Sequence, residues 1–110
     1  MKRSIWMCLA WSWASSAWAA DADAGRALYM SSCMACHGVK ADGKGPAAAA
    51  LKPAPSDFTS ADFWADRDDA SIKVVVKAGK PGTSMMAFPG LSDAQLDDVV
   101  AYLRTLAPAE

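Results

Sequence analysis

Histidine is almost absent from this sequence and cysteine is scarce: one His and three Cys in 110 residues. A structural zinc site draws four ligands from those two residue types. With Cys8 inside an apolar N-terminal run, only Cys33, Cys36 and His37 remain to the rest of the chain, and the count excludes zinc. There is no basic tract, so nothing neutralises phosphates and a nucleic-acid partner is excluded. No segment alternates apolar and polar residues as a half-buried strand does, and Val74-Val75-Val76 is too short to carry a sheet. Internal repeats and any sign of a second domain are lacking too.

What is present begins with a leader. Met1-Lys2-Arg3 is followed by an uncharged run from Ile5 to Trp18, and Ala17-Trp18-Ala19 has the small-x-small form of a signal-peptidase site. The run falls short of the roughly 20 residues of a membrane span, and Cys8 lacks the small residues that precede a lipidated cysteine. Residues 1–19 are therefore expected to be a cleaved secretory signal and residues 20–110 one exported domain. Cleavage removes Lys2 and Arg3, leaving nine Lys or Arg against twelve Asp or Glu, a formal net of −3. A domain of this size is near the limit at which an apolar core suffices alone.

The remaining chain reads as helices separated by long loops. Asp21 and Asp23 cap a helix that runs into the cysteine pair. Residues 39–55 are rich in Gly and Pro and read as loop, with at most one short helical turn at 46–51. Asp57-Phe58 and Phe63-Trp64 put aromatic surface into a loop-like stretch. Asp68 or Asp69 caps a helix with Ile72, Val75 and Val76 on one face, ended by Gly79. Ser92 and Gln95 form a capping box before Leu96, Val99, Val100, Leu103 and Leu106, with Pro108 beyond the end. The expected fold class is all-α with three to four main helices, and such long loops need something to wrap.

Cys33-Met34-Ala35-Cys36-His37 supplies it, because C-x-x-C-H is the attachment pattern of haem c. Thiols three residues apart on one side of a helical turn can add to the two vinyl groups of one porphyrin edge, and the next residue offers an imidazole to iron. A thioredoxin-like redox pair would follow a strand, and no βαβ pattern exists here. A plain disulfide leaves His37 and the loops without a purpose.

Gly25-x-x-Leu28-Tyr29 leading to Cys33-x-x-Cys36-His37-Gly38 resembles the class I, mitochondrial-type cytochrome c family, in particular its small bacterial periplasmic monohaem members. Gly43-x-Gly45-Pro46, Gly82-Thr83-Ser84-Met85-Met86-Ala87-Phe88 and Leu91-Ser92-Asp93 through Leu103 resemble its proximal loop, Met-ligand loop and closing helix. The resemblance implies one covalent haem c on Cys33 and Cys36, with His37 and Met85 as axial ligands. Met86, standing where the family has proline, is the alternative to Met85; Met30 and Met34 are read as filler. The resemblance also implies that the Pro46 carbonyl accepts from the second nitrogen of His37, and that Gly25 lets the first helix approach the last near Tyr102. A simple helix-start glycine is the other reading of Gly25.

Six-coordinate iron leaves no open position for substrate, so the implied function is electron transfer without catalytic turnover, with a potential raised by thioether ligation. The partners expected are redox proteins, a membrane-bound redox complex among them, with no metal but the haem iron. Lys40, Lys44, Lys52, Lys77 and Lys80 would surround the haem crevice and steer an acidic partner; an ordinary mixed-charge surface is the alternative. Two further functions stay open: a fixed subunit of a periplasmic dehydrogenase or oxidase, with Phe58, Phe63 and Trp64 as candidates for an interface patch, or a haem sensor using the tandem methionines. Packing against the haem is the favoured use of these three rings.

Overall fold

The computed structural model describes residues 19–108. The expected signal segment lies outside the described residues except for Ala19.

Among the described residues there is no strand. Helix α1 spans Ala22–Ser32, α2 Met34–His37, α3 Ala61–Ala65, α4 Asp69–Ala78 and α5 Asp93–Arg104, with a 3₁₀ turn at Ala48–Ala50. Three are main helices of 11, 10 and 12 residues, which matches the all-α expectation. Their caps are those the sequence encodes. The Asp21 carboxylate accepts from the backbone of Asp23 and Ala24 at 2.9 and 3.1 Å, and that of Asp68 from Ser71 at 2.8 Å. Ser92 and Gln95 close a reciprocal capping box, so α5 begins with two of its orphan donors satisfied.

The core forms where α1 crosses α5. Leu96, Val99, Val100 and Leu103 turn one face of α5 inward and are each at most 3% exposed. Tyr29, fully buried, meets Tyr102 edge to face with ring centroids 5.3 Å apart. Gly25 sets how close the two helices come: a Cβ there would lie 1.9 Å from the Asp98 carbonyl oxygen. The contact is with the main chain of Asp98 and Val99, one turn before Tyr102, and the close-approach reading of Gly25 holds over the helix-start one. The Asp21 N–H, donating to the Asp98 carboxylate at 2.8 Å, fastens the same crossing.

Two local expectations change. The first helix does not run unbroken into the cysteines: Cys33 sits between α1 and α2 with φ −116° and ψ −28°. Its carbonyl accepts from both Cys36 and His37 at 3.3 and 3.0 Å, so the attachment motif forms a turn of its own. Residues 61–65, which read as loop, are helical. Ser60 gives α3 no side-chain cap. The turn is held instead by tertiary bonds, from the Trp64 indole to the Phe58 carbonyl at 2.8 Å and from Arg67 to the Phe63 carbonyl at 2.7 Å. At the other end α5 stops at Arg104, and i→i+3 bonds from Thr105 and Leu106 tighten the chain so that Leu106 still packs on the core.

Candidate cofactor site

Cys33, Cys36 and His37 line a cavity of about 430 Å³ together with Met85 and Met86. Its remaining wall is mainly apolar, with Phe58, Ile72, Val75, Val76, Phe88 and Leu103 among the lining residues. The volume is within the range of cofactor pockets, roughly 300–1,000 Å³.

Main-chain bonds hold the attachment turn from below. Helix α2 ends at His37, and the last carbonyls of a helix have no partner within it. Here Gly43 donates to the His37 carbonyl at 2.8 Å, Gly45 to Cys36 at 3.0 Å and Ala47 to Ala35 at 2.9 Å. The loop therefore laces alternate N–H groups onto successive carbonyls of the motif. Gly45 is needed for this approach, since a Cβ there would lie 2.4 Å from the Ala35 carbonyl oxygen. Pro46, exposed and without an N–H, falls between two donors.

This engagement corrects the expectation for Pro46. The His37 Nδ1 lies 3.1 Å from the carbonyl oxygen of Ser56, not of Pro46. The loop around Pro46 is committed to the main chain of α2, and the segment after Pro55 reaches the imidazole instead. That segment is docked by the Phe58 N–H, which donates to the Ala41 carbonyl at 2.9 Å. Because the acceptor is a backbone carbonyl, no side-chain type marks it in the sequence.

The bond also sets the chemistry of the ring. A carbonyl only accepts, so Nδ1 carries the proton and the Nε2 lone pair is left for a metal. Burial lowers the His37 pKa below its ordinary value, with the Ser56 bond acting the other way; the neutral, ligating form is favoured. Phe58 stacks on the imidazole with centroids 4.6 Å apart and planes 29° apart. Burial, with the neighbouring Cys36 second, pushes the Cys33 thiol up to about 11. Both cysteines are free and half-buried. Two thiols, one tautomer-fixed imidazole and an apolar cleft form a donor set that fits covalent haem c.

The loop bearing the tandem methionines is tied back to α4. Phe88 donates to the Val76 carbonyl at 3.0 Å, Lys80 to the Met85 carbonyl at 3.3 Å, and the Met85 N–H to the Thr83 hydroxyl at 3.2 Å. Met85 is half-buried against the core, whereas Met86 is 66% exposed. Met30 and Met34 are partly buried against the core, as filler would be. Arg67 and Ser71, polar residues that the sequence reading did not name, also line the cavity, with Thr83 and Ser84 of the methionine loop.

The five lysines expected around the cleft are dispersed. Lys80 lines it; Lys40 and Lys44 border a separate depression of about 240 Å³ beside Pro46. Lys77 lies 3.8 Å from Asp93. Lys52 is exposed.

Comparison with known proteins identifies the family of the chain. The family model for cytochrome c matches residues 22–107. Cytochrome c-554(547) of Halothiobacillus neapolitanus is 38% identical over 92 residues, covering 80% of this chain and 99% of its own length. Among solved structures, a chain of the Kuenenia stuttgartiensis reducing HAO-like protein complex Kustc0457/Kustc0458 superposes with a TM-score of 0.67 at 22% identity, over 79% of this chain and 43% of that one. The KustC0563 c-type cytochrome gives a TM-score of 0.62 at 24% identity, over 76% and 98%. At such identities the two structures speak for the fold alone. The chain belongs to the cytochrome c family, whose members transfer electrons on a covalently bound haem c, and Cys33 and Cys36 fit that attachment.

Proposed function

We propose that this chain is an exported, periplasmic carrier of single electrons whose haem iron is held by His37 and Met85. The observation that carries the reading is the shared cavity. A tautomer-fixed imidazole and a half-buried thioether border the same apolar cleft as the two attachment thiols. The haem, when bound, supplies the Fe(III)/Fe(II) couple. The protein excludes water through Phe58, Ile72, Val76 and Phe88, orients His37 through Ser56, and keeps Met85 near the iron by tying its loop to α4.

Exposure supports Met85 over Met86. Met85 packs against the core and Met86, 66% exposed, does not, so the protein holds the Met85 side chain the more firmly. The export part of the reading rests on the sequence of residues 1–19; among the described residues no helix is long and apolar enough to cross a membrane. Absorption spectra of the haem-loaded variants test the ligand set. Met85→Ala loses the Met-to-Fe(III) band and Met86→Ala keeps it; a Met85→Ala protein that retains the band refutes the assignment.

A fixed cytochrome subunit of a redox complex is the second reading, favoured by one observation: the fold recurs in a chain of a protein complex. The proposed aromatic patch counts against it. Phe58 is 7% exposed, and Arg67 and Arg104 lie over the rings of half-buried Phe63 and Trp64 at 4.2 and 4.8 Å. Co-purification of a stoichiometric partner from the native source would favour the subunit.

A further inference from the structure

We infer that Trp64 is the surface end of an electron route to the haem iron that enters through the His37 ring. It rests on the reading of His37 as an iron ligand. Two independent sets of contacts join the same two ends. The first is bonded throughout: the Trp64 indole N–H donates to the Phe58 carbonyl at 2.8 Å, the main chain runs back through Asp57 to Ser56, and the Ser56 carbonyl accepts from His37 Nδ1 at 3.1 Å. The second is a chain of rings. Trp64 meets Phe63 edge to face at 4.9 Å, Phe63 meets Phe58 at 5.0 Å, and Phe58 stacks on His37 at 4.6 Å.

Electronic coupling decays more slowly along covalent and hydrogen bonds than across gaps, so a path with two hydrogen bonds and no gap is an efficient one. Trp64 is half-buried on the short helix α3, and the Arg104 guanidinium, paired with Asp69 at 2.7 Å, steadies its outer face. A one-electron donor in transient contact with that end, which needs no permanent apolar interface, loses one electron and Fe(III) becomes Fe(II). No bond or proton moves, and the phenylalanines act only as medium.

The test uses a ruthenium polypyridyl photoreductant bound to a histidine introduced in the haem-loaded protein. One label is placed beside Trp64 with Ala65→His, and a control on the outer face of α4 with Val74→His, both exposed positions. Each label is combined with Trp64→Leu and with Trp64→Phe, the second of which keeps a ring but removes the N–H. The expected result is an order-of-magnitude fall in photoreduction rate for Trp64→Leu from the Ala65→His label and no change from the control, with potential and absorption spectrum unaltered. The indole N–H of Trp64, the one tryptophan among the described residues, should also exchange slowly with solvent. An unchanged rate from the Ala65→His label overturns the route; should Trp64→Leu fail to load haem, an unchanged rate in Trp64→Phe does so. Absence of haem reduction from both labels in the parent protein would instead refute the electron-carrier reading.

Discussion

The hydroxyl of Tyr29 donates to the carbonyl oxygen of Gly38 at 2.5 Å. Tyr29 is fully buried at the crossing of α1 with α5, and Gly38 directly follows His37. One hydrogen bond thus links the helix crossing to the residue that leaves the attachment motif. Burial pushes the Tyr29 phenol far above its ordinary pKa, so it stays a donor. Tyr29→Phe keeps the ring contacts with Phe58 and Tyr102 but leaves the Gly38 carbonyl without its partner. The expected loss is about 1–3 kcal/mol, read from the denaturant midpoint of the haem-loaded protein. A midpoint equal to that of the parent would show that the bond contributes nothing net.

The close approach at Gly25 predicts a larger effect. A methyl group in Gly25→Ala would overlap the Asp98 carbonyl and force α1 away from α5. Overpacking of this kind costs typically about 1–3 kcal/mol and more against rigid backbone. Thermal unfolding measures it directly; a variant as stable as the parent would mean that the helices separate freely.

Acid should weaken α4 at its cap. Hydrogen bonds from the Ser71 backbone and then its side chain hold the Asp68 carboxyl below the usual carboxylate range. A depressed folded pKa contributes stability that is fully present above the unfolded value of about 3.9 and lost as pH falls through the folded one. Asp68→Asn keeps a side-chain acceptor and has no carboxyl to titrate. Its stability should therefore fall less steeply below about pH 4 than that of the parent. Equal slopes in acid titrations followed by circular dichroism would contradict this. Asp57, held below the usual carboxylate range by Thr59, remains in both proteins and cancels from the comparison.

Docking charge can be tested at Lys80, the one lysine that lines the cleft. Rates of electron transfer to an acidic acceptor should fall as salt rises. Lys80→Gln should lower the low-salt rate and flatten the dependence. A flat profile in the parent protein would refute steering.

Parts of the molecule that rest on local chemistry were legible early. Caps at Asp21, Asp68 and Ser92 involve residues within three positions of one another, and the inward face of α5 follows from helical period alone. The Cys33, Cys36 and His37 motif is equally local, which is why it announced the cofactor. By contrast, α3 was not visible between Ala61 and Ala65. It lacks a cap and takes its order from the Trp64 bond to Phe58 and the Arg67 bond to Phe63, neither of which leaves a periodic trace.

The sequence by itself determined the all-helical class, the attachment motif with its haem c, and the membership of a family in which that haem carries electrons. The first two follow from residue type at short spacing, and the third from the resemblance of the segments around the motif to that family. Tertiary structure decided what surrounds the motif. Ser56 rather than Pro46 meets His37, nineteen residues away, because the glycine loop is bound to the end of α2 and the acceptor is main chain, which any residue supplies. It likewise gave neighbouring methionines different exposures, since burial depends on how the loop after Gly79 folds back onto α4 and not on which of two identical side chains comes first.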